Sequence, residues 1–148
     1  MKFQYNDGGR EAAGYKGKTG DCVARAIAIA MGRDYQHVCD DIEAFAEMSE
    51  RGSKRSSAAK GVYTSKKWFR EYLTSLGWKF VPTMSIGSGC KVHLRADELP
   101  SGTIICSVSK HYVAVIDGVM HDIYDPSRNG TLTFAPAGLR GIRRVTGP

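Results

Sequence analysis

Two side chains in this sequence have the type and surroundings for nucleophilic chemistry. Cys22 follows KGKTGD and opens the apolar run CVARAIAIAM. It therefore falls in the first turn of a predicted helix, where unpaired N–H groups and the positive end of the helix dipole favour thiolate over thiol. His111 opens HYVAVI, a run that reads as a strand with the imidazole at its end. An imidazole is a natural base for a thiol, and it needs a third group to fix its tautomer and direction. The next predicted strand, VMHDIYDPS, offers Asp122 and Asp125. Asp117-Gly118 between the two runs predicts a two-residue hairpin turn with positive φ at both central positions. Positions 111 and 124 are equidistant from the centre of that turn, so register counting favours Asp125 as the orienting acid and keeps Asp122 as the alternative. Cys22 alone would read as core filler on an apolar helix. A base and an acid on suitable elements shift the reading towards catalysis.

The frame for these groups divides into a helical half and a strand half. Residues 1–20 are polar and Gly-rich, an expected extended arm with loops. Asp21 is placed to cap a buried helix that Gly32 ends, and Asp34 to cap a second helix running to about Ser49, with Val38, Ile42, Phe45 and Ala46 at helical spacing. Residues 51–61, RGSKRSSAAKG, read as a mobile polar loop able to cover a groove. A third helix is predicted from Thr64, with Trp68, Phe69, Tyr72, Leu73 and Leu76 on one face and Gly77 closing it. After it WKFVPT, CKVHL, GTIICSVS, HYVAVID, VMHDIY and TLTFA are short β-branched or aromatic runs bounded by turn residues. Helices first and strands second predict an α+β fold with an antiparallel sheet in a single domain over 1–148, helical over 21–77 and sheet over 78–148.

With 148 residues, 42% hydrophobic, one core accommodates the chain. No apolar run is long enough to span a bilayer, and MKFQYNDGGR lacks the apolar middle of a secretory signal, so the expectation is a cytoplasmic protein without a membrane partner, its four cysteines reduced. The net charge of +6 favours acidic partners. Its basic clusters, at residues 51–67 and at Arg140, Arg143 and Arg144, lack aromatic interleaving or a recognition helix, so solvated surface is preferred over a nucleic-acid site. Cys90 and His93, with Cys106 and His121, carry half a zinc spacing, but alternation puts the first two on opposite strand faces. Gly87-Ser88-Gly89 is too short for a phosphate cradle, and neither metal nor cofactor is expected.

TGDCVARAIAIAMG followed by SKHYVAVIDGVMHDIYDPS resembles the papain-like cysteine peptidase superfamily. The likeness is greatest to its small bacterial and phage branch, which includes the leader-peptide peptidases of bacteriocin transporters. The resemblance implies a thiolate–imidazolium pair of Cys22 and His111, Asp125 as orienting acid, and a peptidase or isopeptidase acting on a peptide or protein through a thioester acyl-enzyme. Acyl transfer to an amine would use the same groups. Relatives commonly carry an oxyanion-donating glutamine six residues before the nucleophile, where this chain has Lys16. Asn6, Thr19 and the backbone N–H of Cys22 are the candidate donors. Lys16 also keeps open a catalytically inactive papain-like module, phage-encoded in one version, that binds a host protein or nucleic acid.

Overall fold

The computed structural model describes residues 2–17, 20–52, 55–82, 102–108, 111–125 and 140–144. At its centre is α1 (Cys22–Met31), in which alternate alanines at 24, 26, 28 and 30 keep the helix slim and every residue except Cys22, Ile29 and Met31 is buried. Gly32 ends it at φ 61°, the left-handed conformation that glycine adopts without steric cost. The second helix, α2 (Tyr35–Ser49), begins as expected, with the Asp34 carboxylate accepting the His37 N–H at 3.0 Å. Its buried stripe of Tyr35, Val38, Cys39, Ile42 and Ala46 meets the apolar face of α3 (Lys67–Ser75), where Trp68, Phe69, Tyr72 and Leu73 are buried. The third helix starts three residues later than Thr64 because the chain first makes a turn there, closed by the Lys66 N–H on the Tyr63 carbonyl at 3.1 Å.

Six strands form one sheet: β1 (Lys2–Tyr5), β2 (Trp78–Pro82), β3 (Thr103–Val108), β4 (His111–Ile116), β5 (Val119–Asp122) and β6 (Arg140–Arg144), in the order β1-β5-β4-β3-β6-β2. The hairpin between β4 and β5 turns at Asp117 and Gly118 with φ of 48° and 79°, as the sequence predicts. Helices and sheet make the expected α+β class, but the sheet is mixed rather than antiparallel. The exception is β1, which runs parallel to β5. Lys2–Tyr5 alternates polar and aromatic residues over only four positions, all of them exposed, so it reads as part of an arm in sequence and becomes an edge strand through long-range pairing. Likewise Arg140–Arg144, expected as solvated surface, pairs on both sides, with β3 and with β2. The predicted strands CKVHL and TLTFA lie outside the described residues.

Both faces of the central strands are buried. Ile105, Tyr112 and Ala114 join the helical core, while the residues of opposite parity, Ile104, Cys106, Val113, Val115 and Met120, are also 5% exposed or less. Residues 55–61, expected to be mobile, are tied down. Ser56 and Ala58 are buried, and their N–H groups donate to the carboxylates of Glu50 and Glu43 on and just after α2. A short bridge between Ser57 and Gly61 closes the loop on itself. It is a fixed wall of the site described next. Among the described residues no helix is long and apolar enough to cross a membrane.

Candidate active site

The first turn of α1 lies against the start of β4, and this brings Cys22 and His111 into side-chain hydrogen-bonding contact. Three described cysteines are free thiols, and Cys22 alone of them is partly open to solvent. Burial pushes its thiol up, but hydrogen bonds from the His111 ring and the Tyr112 N–H, with the charges of His111 and Arg25, reverse the sign and hold it below the ordinary thiol range. The imidazole is displaced the other way. Burial works against its charge, yet the hydrogen bonds to Asp122 and Cys22 win and push His111 up to about 9. The two touching groups shift in opposite directions, the pattern that favours thiolate beside imidazolium. On its carboxylate side the ring is held by Nε2, which meets Oδ2 of Asp122 at 2.6 Å.

The carboxylate on the ring is therefore Asp122, not Asp125. The register is the expected one, with Ala114 opposite His121. Continued outward, it sets residue 124 opposite His111, and Tyr124 does stack there with ring centroids 5.5 Å apart. Side chains on one face of a hairpin share parity, so Asp122 joins His111 diagonally while residue 125 alternates away. Asp122 is 2% exposed, whereas Asp125 lies on the exposed surface beyond the strand.

Behind Asp122 lies a feature without a role in the sequence reading. Arg25, buried on α1, donates from Nη2 to Oδ1 of Asp122 at 3.1 Å, and its Nη1 makes an ion pair with Oδ1 of Asp21. Asp21 was expected to cap α1, but its side chain makes no capping bond. Instead it receives Arg25 and the Tyr35 hydroxyl at 2.6 Å, and Arg10 stands 3.4 Å away as an ion pair. The available signal was a lone cation in an otherwise apolar helix, four residues after an acid and three after the thiol.

A cavity of about 410 Å³ opens over the pair, walled by the Gly20–Cys22 turn, by Lys60, Gly61 and Val62, and by Ser107, Tyr112 and Tyr124. Gly20 is required there for space. A Cβ would stand 2.7 Å from the Lys60 carbonyl oxygen, while the Gly20 N–H donates to Ala59 at 2.9 Å. At the helix start the N–H groups of Cys22 and Val23 have no carbonyl within the helix to bind, and both residues line the cavity. Asn6, a predicted oxyanion donor, is engaged elsewhere. Its Nδ2 meets Nδ1 of His121 at 3.2 Å and its Oδ1 accepts the Gly8 N–H, which fastens β1 to β5. Thr19 lies outside the described residues, as do Cys90 and His93, while Lys16 is exposed and its carbonyl accepts from Arg10. Cys106 is a core residue. Comparison with known proteins finds no matching family model, no matching curated protein and no matching solved structure.

Proposed function

We propose that this protein is a papain-like cysteine hydrolase, a peptidase or isopeptidase that acts in the cytoplasm on peptide or protein substrates. The single observation that carries the reading is the continuous contact from the half-buried Cys22 thiol through His111 to the buried Asp122 carboxylate, at the wall of an open cavity. The order of elements supports the papain-like assignment: a thiol on the first turn of a central helix, then an imidazole and a carboxylate on adjacent antiparallel strands. In the mechanism, the Cys22 thiolate attacks the scissile carbonyl and the oxyanion is taken up by the N–H groups at the start of α1. The imidazolium of His111 gives its proton to the leaving amine, forming the thioester. It then accepts a proton from water, which attacks and releases the acid. Asp122 holds the ring throughout.

Alkylation of the full chain by iodoacetamide in mildly acidic buffer tests this, with the labelled cysteine located by mass spectrometry. The expected result is selective modification of Cys22, slowed roughly a hundredfold in His111→Ala. Equal reactivity of all the thiols would remove the hydrolase and favour a non-catalytic binding module on the same scaffold.

A further inference from the structure

Among the residues whose burial is described Arg25 is the one buried cation, and it stands between two buried carboxylates, Asp21 and Asp122. Resting on the hydrolase reading, we propose that Arg25 is a positioning residue: its planar guanidinium clamps the head of the helix that carries the thiol to the strand whose carboxylate holds the imidazole.

A structural ion pair would be complete with Asp21 alone, four residues back at the head of the helix. Instead the second arm of the fork leaves the helix and reaches β5. It lands on Oδ1 of Asp122, which also accepts the Ile123 N–H at 2.8 Å, while His111 takes Oδ2. With Oδ1 held twice, the carboxylate has no freedom to rotate, and Oδ2 is presented to the ring in one orientation. The planar fork of arginine suits two carboxylates; an ammonium group is a point charge without that fixed geometry.

The charges facing Arg25 come from every element around it. Arg10 and Asp21 precede α1, Tyr35 comes from α2, His111 and Asp122 from β4 and β5, and Cys22 from its own helix. Along the contacts the formal signs alternate, from Arg10 through Asp21, Arg25 and Asp122 to His111 and the Cys22 thiolate. Removing the central cation leaves Asp122 with His111 as its only positive partner in this chain of contacts. Cys22 then loses one of the charges that favours its thiolate. The consequence is a thiol that ionises at higher pH, an effect that a merely structural arginine would not have.

The test is the pH dependence of Cys22 alkylation by iodoacetamide in the full chain, comparing the parent protein with Arg25→Lys and Arg25→Met, with thermal unfolding to confirm that each is folded. Arg25→Lys keeps the charge and loses the fork. Its alkylation in mildly acidic buffer should fall about tenfold, the equivalent of one pH unit in the midpoint, with the alkaline limiting rate unchanged. Arg25→Met should shift further. If Arg25→Met does not fold, Asp21→Asn, which loosens the far anchor, should move the midpoint in the same direction as Arg25→Lys. Folded variants with the parental midpoint would overturn the role of Arg25 while leaving the thiol–imidazole pair intact. A parent protein whose Cys22 is unreactive at acidic pH, and indifferent to His111→Ala, would overturn both.

Discussion

Cys22 and Cys106 lie on neighbouring elements, α1 and β3, and burial acts on both thiols in the same direction, yet they end in opposite states. Cys106, fully buried in the sheet, is pushed up to about 12 by burial alone. Cys39 in the helical core follows it, to about 11, with burial the largest cause. Cys22 is held below the ordinary range, against its burial, by the hydrogen bond to a His111 ring that a buried carboxylate keeps charged, by the Tyr112 N–H and by the charge of Arg25. Charged and donating neighbours separate the activated thiol from the inert ones: Cys22 has the His111 ring and the Tyr112 N–H against it, whereas burial alone acts on Cys106.

The largest break in that contrast should come from the carboxylate. Asp122→Asn leaves a neutral amide beside His111 and Arg25, and should lower hydrolysis and acidic-pH alkylation of Cys22 by about one to two orders of magnitude. Asp125→Asn, on the exposed surface, should stay within about twofold of the parent. Measuring the alkylation rates of both variants side by side checks the parity assignment directly, and equal losses would contradict it. The pH profile sharpens the contrast next. His111 is raised, so the acid function of its imidazolium is present at neutral pH and is lost as pH rises through about 9. Cys22 is lowered, so thiolate is lost only as pH falls through a value below the ordinary thiol range. Measured kcat/KM should accordingly form a plateau between these limbs, and a single limb near the ordinary thiol value would mean that the pair is uncoupled. The smallest effect is expected at Cys106. Its replacement by Ala should cost about 1 kcal/mol in urea unfolding and leave the alkylation midpoint of Cys22 where it was.

Much of the framework is legible from local pattern. The apolar run after Asp21, the Asp34 cap, the Gly32 and Gly77 stops and the Asp117-Gly118 turn each announce an element by chemistry acting within a few residues. Cys22 and His111 are legible for the same reason, since each opens an element. The orienting carboxylate was harder. Counting from the turn measures distance along the strands but not the face, and parity, already present in the alternation of Met120, Asp122 and Tyr124, is what selects Asp122. The edge strand Lys2–Tyr5 alternates over only four exposed residues, and the basic strand Arg140–Arg144 has no apolar period to betray it. Residues 55–61 look like a free loop because Ser, Ala and Lys carry no sign of the two carboxylates, Glu43 and Glu50, that bind their backbone.

Local chemistry along the chain thus determined where α1 begins, where the β4–β5 hairpin turns, and which side chains stand at those ends, because caps, turns and periodicity act over one or two turns of backbone. Only the tertiary structure decided that Asp122 meets His111, that Arg25 joins Asp21 to Asp122, and that Gly20 must accommodate the Lys60 carbonyl. Those contacts depend on how the helix lies on the sheet, which is set by burial of distant surfaces against one another and leaves no periodic trace in any one segment.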